Sequence, residues 1–279
     1  MTVNKSSRLL VNLIGIPSLL AIIIAGDTIN NLPIFSVFIS IVLFLGAREI
    51  TTLSIGKGSK PIILLLSLFI AILQIDRHPS VSWDIPIHLL IIGITLTAMI
   101  WEIFRNETKP LLNISILVFA FVWLGLMLGS LATLRNLEGI GFKVTLAIFL
   151  AVWICDTSAF FFGKKYGERK ILPKVSPNKT WAGTLAGFIS SITFMIILDQ
   201  YNFFNGIIST IDVVFIGIIA GVFGQLGDWA ESLLKREAGL KDTSNLLRGH
   251  GGILDRFDSL MFAAPLTLIY CNYFIKIGQ

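Results

Sequence analysis

The sequence predicts an all-α, polytopic integral membrane protein with about nine transmembrane helices and a cytoplasmic N-terminus. Hydrophobic residues make up 54% of the 279 residues, and charged residues only 14%. A soluble domain carries roughly 25% charged residues. The apolar residues also form blocks along the chain instead of being spread evenly. Because so few charges cannot cover a water-facing surface, lipid must surround much of the folded chain.

The apolar blocks give the positions of the predicted helices. A hydrocarbon core about 30 Å thick is crossed by about 20 apolar residues in a helix. Many of the connecting segments contain Pro, Asn, Asp or Gly. No clear small-x-small cleavage site follows Lys5, Arg8 and the first block, so we interpret that block as a retained helix and not a signal peptide. The predicted spans are residues 9–26, 32–47, 61–75, 86–104, 111–134, 144–162, 181–198, 211–226 and 259–275.

The distribution of Lys and Arg predicts the orientation. If the spans alternate in direction, 18 of the 22 Lys and Arg residues lie on the side of the N-terminus, and 4 lie on the opposite side. Cytoplasmic loops of membrane proteins carry an excess of these residues. The N-terminus is therefore predicted to be cytoplasmic. With an odd number of spans, the C-terminus is predicted to lie outside.

Two segments on the predicted cytoplasmic side differ from the rest of the chain. Residues 163–180 and 227–258 together hold 11 of those 18 cations and most of the unusual polar residues. Residues 1–140 contain no such cluster and are predicted to be a transmembrane scaffold. Residues 141–279 are predicted to be the catalytic half of what is one membrane domain overall.

Cysteine positions and net charge argue against several other kinds of site. Cys155 and Cys271 lie in apolar blocks without a nearby partner or a His-rich neighbourhood, which argues against a zinc site or a disulfide. The net charge of +5 is explained by cytoplasmic loops that face anionic lipid. No nucleic-acid partner is therefore expected.

Asp156 is a candidate functional residue because it lies inside the predicted span 144–162, toward its cytoplasmic end. A carboxylate in the hydrocarbon region costs roughly 2.5 to 3.5 kcal/mol on insertion scales. Such a residue either has a function or packs between helices through a hydrogen bond to Ser or Thr.

Residues 174–183 combine a predicted helix start with a cation. Ser176 and Pro177 are typical of a helix N-terminus, where backbone N–H groups lack partners. Those N–H groups, the Lys179 amine and the hydroxyls of Ser176 and Thr180 would together form an anion site. The alternative is an ordinary helix cap followed by a lysine that extends toward water.

Residues 227–236 carry charges of both signs directly beneath an apolar span. A helix would place four of their side chains on one face, namely Asp228, Glu231, Ser232 and Lys235. This pattern suits a site where a metal ion and phosphates meet. The alternative is a solvated helix face held by salt bridges.

Asp255 and Asp258 follow a glycine-rich turn around His250. Their spacing at the start of the last predicted span would let both carboxylates face one point. Mg²⁺ is typically held by one or two carboxylates together with substrate phosphates, and Arg256 would balance charge or bind a phosphate. The aspartates are alternatively charges favoured at a helix N-terminus. His250 is either a general base or a residue that stabilises the turn.

Residues 150–262 resemble the phosphatidate cytidylyltransferases, also called CDP-diacylglycerol synthases. The resemblance rests on Ser232-Leu-Leu-Lys235-Arg236, on Lys241-Asp242, and on His250-Gly-Gly-Ile-Leu-Asp255-Arg256-Phe-Asp258. The run Ser176-Pro-Asn-Lys179-Thr180-Trp181 and the stretch 156–167 are similar as well. Arg248 stands where the family commonly has proline, and the first half resembles the family mainly in being hydrophobic.

The resemblance implies that CTP and phosphatidate are converted into CDP-diacylglycerol and pyrophosphate. It also implies that the reaction uses Mg²⁺, with one or two cations bound, either divalent cations or a mixture of cations. The implied metal ligands are Asp228, Asp255, Asp258 and Glu231, with Asp156 orienting the metal shell. The residues assigned to the nucleotide or to either phosphate are Ser176, Asn178, Lys179, Thr180, Lys235, Arg236, Lys241, His250 and Arg256. A homodimer is suggested on the same basis. The absence of a targeting extension favours a bacterial plasma membrane, with the site facing the cytoplasm.

Two other functions fit part of the pattern. A CTP-dependent kinase of a lipid alcohol would also need a nucleotide and Mg²⁺, but it would release CDP instead of pyrophosphate. A transporter would use Asp156 as an ion or proton site, and transporters often have broken helices at the midplane and repeated halves. No internal repeat is visible in this sequence, and the polar residues cluster toward one face, which argues against transport.

Overall fold

The computed structural model describes residues 5–26, 33–55, 58–105, 107–244, 246 and 251–275. Within these ranges the chain forms helices and one two-stranded β-hairpin. The helices are α1 (Lys5–Ala25), α2 (Ile34–Ile55), α3 (Ile63–Asp76), α4 (Ile87–Arg105), α5 (Pro110–Ala120), α6 (Ser130–Arg135), α7 (Gly141–Tyr166), α8 (Trp181–Gln200), α9 (Thr210–Ile218), α10 (Gly224–Glu237), α11 (Leu254–Phe257) and α12 (Leu260–Phe274). The strands are β1 (Lys170–Leu172) and β2 (Ser176–Thr180). Two π-helical stretches, Phe121–Leu128 and Ile219–Phe223, connect α5 to α6 and α9 to α10.

In the described part of the chain, six helical stretches are long and apolar enough to cross a membrane. They are Ile34–Ser54, Ile87–Arg105, Pro110–Arg135, Gly141–Tyr166, Trp181–Gln200 and Thr210–Glu237. Three shorter apolar helices, Ile14–Ala25, Ile63–Asp76 and Leu260–Phe274, lie at the remaining predicted spans. The chain is therefore a mainly helical integral membrane protein, as predicted. The count of nine spans and the cytoplasmic N-terminus remain predictions.

The chain divides into two compact units, of which the first consists of Met1–Asn136 and Glu237–Arg256. We call Glu237–Arg256 the return segment, because it rejoins this unit from late in the sequence. Helix α2 packs against α1, α3, α5 and α6. Gly46 of α2 leaves room for apolar side chains, since a Cβ there would lie 2.8 Å from Leu254 of the return segment and 3.3 Å from Leu124. The predicted halves, 1–140 and 141–279, differ from this division by the return segment.

The second unit, Leu137–Arg236 and Phe257–Gln279, is built around the pair α7 and α8. Glycines allow these two helices to approach closely: a Cβ on Gly183 would lie 2.5 Å from the Ala159 carbonyl oxygen, and one on Gly187 would lie 2.9 Å from that of Cys155. Small residues at such interfaces are typical of membrane helices. Helix α9 packs on α8, and α12 packs on α7.

The predicted helix start at Ser176 and Pro177 is wrong. Ser176–Thr180 forms β2, which pairs antiparallel with β1 so that Leu172 lies opposite Ser176 and Lys170 opposite Thr180. A two-stranded hairpin consists of edge strands, which tolerate a proline. Helix α8 instead begins at Trp181, where the Thr180 hydroxyl accepts a hydrogen bond from the Gly183 N–H at 3.2 Å. The hairpin is also an exception to the all-α prediction.

The segments 163–180 and 227–258 contain helix beyond the predicted apolar spans. Helix α7 continues to Tyr166, and α10 continues to Glu237, so that each extends well past the end of its predicted apolar block. Asp255 and Asp258 do not begin one common helix. Asp255 lies in α11, which ends at Phe257, and Asp258 lies in the turn before α12.

Candidate functional site

A cluster of charged side chains forms in the second unit where α7, β2, α10 and the turn before α12 meet. The Lys179 amine of β2 forms an ion pair with the Asp228 carboxylate of α10. The carboxylates of Asp156 and Asp258 also act on this amine electrostatically. We call Asp156, Lys179, Asp228 and Asp258 the acidic cluster. Its three acids come from three separate elements and act on one lysine.

Burial and mutual repulsion shift the protonation of this cluster. Burial, followed by the negative charges of Asp228 and Asp156, raises the pKa of Asp258 to about 8. A hydrogen bond from the Ser259 N–H to the Asp258 carboxylate, at 2.6 Å, only partly offsets these effects. Burial alone would lower the pKa of Lys179, but the charges of Asp228, Asp156 and Asp258 outweigh it and raise that pKa. At neutral pH the Asp258 carboxyl is therefore mostly protonated, and carboxyl groups with strongly shifted pKa values are common at functional sites.

A cavity of about 470 Å³ lies beside the acidic cluster and is bordered by two of its members, Asp156 and Lys179. Ligand pockets typically measure about 300 to 1,000 Å³. The amines of Lys164, Lys170 and Lys179 exceed the single carboxylate in the lining, so the cavity suits an anionic ligand such as a phosphate. The lining residues are Asp156, Ala159, Phe160, Gly163, Lys164, Gly167, Lys170, Asn178, Lys179, Thr180, Gly183 and Thr184.

Thr180 determines how the wall of this cavity is built. Its side chain is almost fully buried and packs against glycines from both neighbouring helices. A Cβ on Gly163 of α7 would lie 3.0 Å from the Thr180 hydroxyl, and one on Gly183 of α8 would lie 3.2 Å from it. A Cβ on Gly167 would overlap the same side chain. The three glycines therefore allow β2 to lie directly against the ends of α7 and α8.

Helix α10 has the predicted charged face, and the side chains on that face are hydrogen-bonded to one another. The Ser232 hydroxyl donates to the Asp228 carboxylate at 3.3 Å, and the Lys235 amine donates to the Glu231 carboxylate at 3.0 Å. Glu231 is 0% exposed and Lys235 is 7% exposed. The pair is therefore buried, which excludes a solvated salt bridge.

Asp255 belongs to the first unit and is held by the return segment. Its Oδ2 accepts hydrogen bonds from the Thr243 N–H and hydroxyl, both at 2.9 Å, and from the Gly252 N–H at 2.7 Å. Among the residues that the structure describes, no group of three or more His, Cys, Asp or Glu side chains is placed to hold a metal ion. The joint metal set of Asp228, Asp255, Asp258 and Glu231 remains a prediction.

The other predicted phosphate-binding residues have different positions. Asn178 lines the cavity next to Lys179, whereas Ser176 lies in the hairpin and is not among the lining residues. Arg236 donates from Nε to the Val175 carbonyl oxygen at 3.1 Å, which connects α10 to the hairpin. Lys241 and Arg256 are exposed. His250 and the atypical Arg248 lie outside the described residues.

Several residues that line the cavity or lie around Asp255 were not predicted from the sequence. Lys164 and Lys170 line the cavity, and both lie in the stretch 163–180 that stands out for its cations. Glu49 contacts Thr243 of the return segment, and Thr243 contacts Asp255. The only local signal for Glu49 is a carboxylate in an otherwise apolar block, which by itself does not name a partner.

Comparison with known proteins extends over nearly the whole chain. The sequence model of the cytidylyltransferase family matches residues 6–274. A phosphatidate cytidylyltransferase from Staphylococcus saprophyticus is 34% identical over 263 residues, which cover 94% of this chain and 97% of that protein. One from Haemophilus influenzae is 35% identical over 211 residues, 73% and 70% of the two chains. One from Bacillus subtilis is 33% identical over 182 residues, 65% of each chain.

Proposed function

The chain belongs to the cytidylyltransferase family, and we propose that it converts CTP and phosphatidate into CDP-diacylglycerol and pyrophosphate. It would thus be a nucleotidyltransferase of phospholipid biosynthesis. The structural observation that carries the proposal is the lysine-lined cavity beside the acidic cluster, at the ends of membrane-length helices. This position suits a reaction between a water-soluble nucleotide and a lipid phosphate.

In the proposed reaction an oxygen of the lipid phosphate attacks the α-phosphorus of CTP. A new P–O bond forms there as the bond to the departing pyrophosphate breaks. Because the lipid phosphate is already ionised at neutral pH, a strong general base is not needed. Catalysis then rests on positioning the two phosphates and neutralising their charge. Lys164, Lys170 and Lys179 supply that positive charge from the cavity wall.

Lys179 connects the cavity to the acidic cluster. An ammonium group has three N–H donors. One donor is used by Asp228, and the side chain also lines the cavity, so a phosphate oxygen can share the same amine. The raised pKa of Lys179 keeps the amine charged at neutral pH. We therefore assign Lys179 to orient a phosphate relative to the carboxylates.

The acidic cluster fits a Mg²⁺ ion that is held partly by substrate. Mg²⁺ usually takes one or two carboxylates together with substrate phosphates instead of a closed protein cage. Burial and two neighbouring acids raise the pKa of Asp258, and a cation bound beside it would favour the ionised carboxylate. We propose Asp228 and Asp258 as its ligands, with Asp156 as an orienting group. When bound, the ion would neutralise charge on the reacting phosphates.

The reaction is tested in detergent–lipid micelles with phosphatidate, labelled CTP and Mg²⁺, following both products. We expect CDP-diacylglycerol and pyrophosphate in equal amounts, and no turnover in EDTA. Asp258→Asn should lower kcat by about 100-fold or more, because a charge-stabilising group is lost. Asp212→Asn is the matched control, since Asp212 contacts Ser209 and Tyr270 and is not among the cavity-lining residues. Release of CDP without a lipid nucleotide would identify the kinase instead.

We also propose that the site faces the cytoplasm of a bacterial cell. The excess of Lys and Arg on the predicted inner side supports this orientation, and the relatives named above are bacterial. The homodimer implied by the resemblance remains a prediction. It is tested by the mass of the detergent-solubilised protein after the detergent contribution is subtracted.

A further inference from the structure

Glu49 is a buried carboxylate in the first unit, and it is only 4% exposed. It lies in α2, within a stretch that is apolar and long enough to cross a membrane. Burial of a charged group is unfavourable unless hydrogen bonds replace the lost water. The partners of this carboxylate therefore indicate why it is tolerated.

Among the residues that the structure describes, the hydrogen-bond donors to the Glu49 carboxylate from side chains and loop backbone are four groups of the return segment. Before the glycine turn, the hydroxyls of Thr243 and Ser244 donate at 2.9 and 2.7 Å. After the turn, the backbone N–H groups of Ile253 and Leu254 donate at 2.8 and 2.9 Å. Each carboxylate oxygen accepts two of these bonds. One side chain thus ties together the two ends of the turn.

A carboxylate has about four lone-pair sites. Three of the four donors serve Glu49, and the fourth, the single hydrogen of the Thr243 hydroxyl, is shared between Glu49 and Asp255. Hydrogen bonds to an ionised group are roughly twice as strong as those between neutral groups. Gly252 also approaches Glu49 very closely, since a Cβ there would overlap both the Glu49 carboxylate and the Thr243 hydroxyl. Glycine at position 252 is therefore required by this contact.

The same network reaches Asp255. The Thr243 hydroxyl lies 2.9 Å from Oε2 of Glu49 and 2.9 Å from Oδ2 of Asp255. The Gly252 N–H, which belongs to the turn that Glu49 holds, donates to the same Asp255 oxygen at 2.7 Å. A change at Glu49 therefore alters two of the groups that fix the Asp255 side chain.

We propose that Glu49 is a positioning residue for the cytidylyl transfer: it holds the return segment in the conformation that presents Asp255, without touching substrate itself. The inference rests on the proposed function and on the sequence prediction that Asp255 takes part in it. It assigns a role in the reaction to a helix of the first half, which the sequence marked only as scaffold.

Glu49→Gln tests the proposal, because it keeps the size of the side chain but replaces an oxygen that accepts two hydrogen bonds by an amide NH₂. In the substrate-free protein, we expect the amides of Ile253 and Leu254 to exchange with deuterium about 10- to 100-fold faster, the effect of losing bonds to a charged group. We expect kcat to fall by a similar factor with a smaller change in KM, because the loss appears mainly in the transition state.

Glu102→Gln is the matched control. Glu102 is a buried carboxylate of α4 in the same unit, but it accepts hydrogen bonds from Asn113 and Arg105, at 3.1 and 3.2 Å. The Glu102→Gln variant should be less stable, but the amides of Ile253 and Leu254 should not exchange faster, and kcat should not fall by a comparable factor. If Glu49→Gln does not fold, Thr243→Val removes the bridging hydroxyl at equal volume. Thr243→Ser keeps the hydroxyl and should retain wild-type exchange and kcat.

Unchanged exchange at Ile253 and Leu254 in Glu49→Gln overturns the proposal, and so does faster exchange with wild-type kcat and KM. A kcat loss as large in Glu102→Gln also overturns it, since the effect would then be general destabilisation. If the wild-type protein forms no CDP-diacylglycerol, the proposed function fails and the positioning role fails with it. The exchange experiment uses no substrate, so it still reports separately whether Glu49 holds the return segment.

Discussion

Buried acids in this protein differ in how completely their charge is compensated. Glu49 accepts four hydrogen bonds from fixed donors, and Asp228 pairs with Lys179. Asp258 receives one backbone N–H and lies near two further acids, and its pKa is raised accordingly. The poorly compensated acid is the one expected to contribute least to stability. An acid in that state is well suited to bind a cation or a substrate.

Asp258 should make stability depend on pH. Its pKa in the folded protein, about 8, lies above the value of roughly 3.9 expected in the unfolded chain. The folded state therefore binds this proton more tightly, and between the two values stability falls as pH rises. We expect the thermal midpoint in EDTA to drop between about pH 5 and pH 8, and Asp258→Asn to show a shallower drop. Equal slopes in the two proteins would contradict the raised pKa.

The β-hairpin and the start of α8 form the element on which the cavity depends. Thr180 ends β2, caps α8 through its hydroxyl, and fills the space left by Gly163, Gly167 and Gly183. Arg236 connects the far end of α10 to the same hairpin through the Val175 carbonyl. A residue change in this short element is therefore expected to affect both helix stability and the cavity.

Thr180→Val should lower the free energy of unfolding by about 1 kcal/mol, the usual effect of losing a helix cap. It should also lower activity, because Thr180 lines the cavity. Thr180→Ser keeps the capping oxygen and should recover most of the stability. Ser209→Ala removes the comparable cap of α9, where the Ser209 hydroxyl accepts from the Asp212 N–H at 3.2 Å. That control should lose stability but keep activity, and equal activity losses in both variants would argue against a role for Thr180 in the cavity.

The helix that leads into α10 is interrupted by a π-helical stretch. The π-helical stretch Ile219–Phe223 directly precedes the helix that carries Asp228 and Lys235. Such stretches are frequently found near functional sites, where they change the direction in which following side chains point. Gln225, just after this stretch, donates to the carbonyl oxygens of Gly221 and Thr184 at 2.7 and 3.1 Å. Its side chain thus satisfies backbone groups at the junction.

At the scale of the whole molecule, residues close in sequence belong to different packing units. Asp255 lies in the first unit, with α1 to α6, and Asp258 lies in the second, with α7 to α10 and α12. Within the first unit, Thr243 and Gly252 fix the Asp255 side chain, and the acidic cluster with its cavity lies in the second unit.

The predicted orientation can be tested with single cysteines placed before and after α4, at the two ends of that helix. Thr108 and Ser80 are both exposed, while the natural cysteines Cys155 and Cys271 are buried. A membrane-impermeant thiol reagent should label Ser80→Cys in intact cells and Thr108→Cys only after the membrane is opened. This follows from the excess of Lys and Arg on the Thr108 side. The unmodified protein controls for labelling of natural cysteines, and the reverse pattern would invert the topology.

The apolar helices and the family could be recognised from the sequence alone, and the sequence also named most of the candidate residues, which remain predictions. Bilayer thickness sets the length of an apolar block, and motif spacing is a local property, so both can be recognised without knowing any long-range contact. The face of α10 that carries Asp228 and Lys235 follows from helical periodicity in the same way. The strand at Ser176–Thr180 cannot be recognised from a local pattern, because it exists only through pairing with Lys170–Leu172.

Which groups from distant parts of the sequence meet depends on long-range packing. Glu49 and Thr243 are 194 residues apart in sequence, and nothing near either residue indicates that the two side chains are hydrogen-bonded. The ion pair of Lys179 with Asp228 and the lysine-lined cavity likewise join separate elements. Local patterns indicate which segments are helical and which side chains are able to bind a metal ion or a phosphate. The partner of a buried charge is determined by packing, since a carboxylate is tolerated wherever the fold brings enough donors to it.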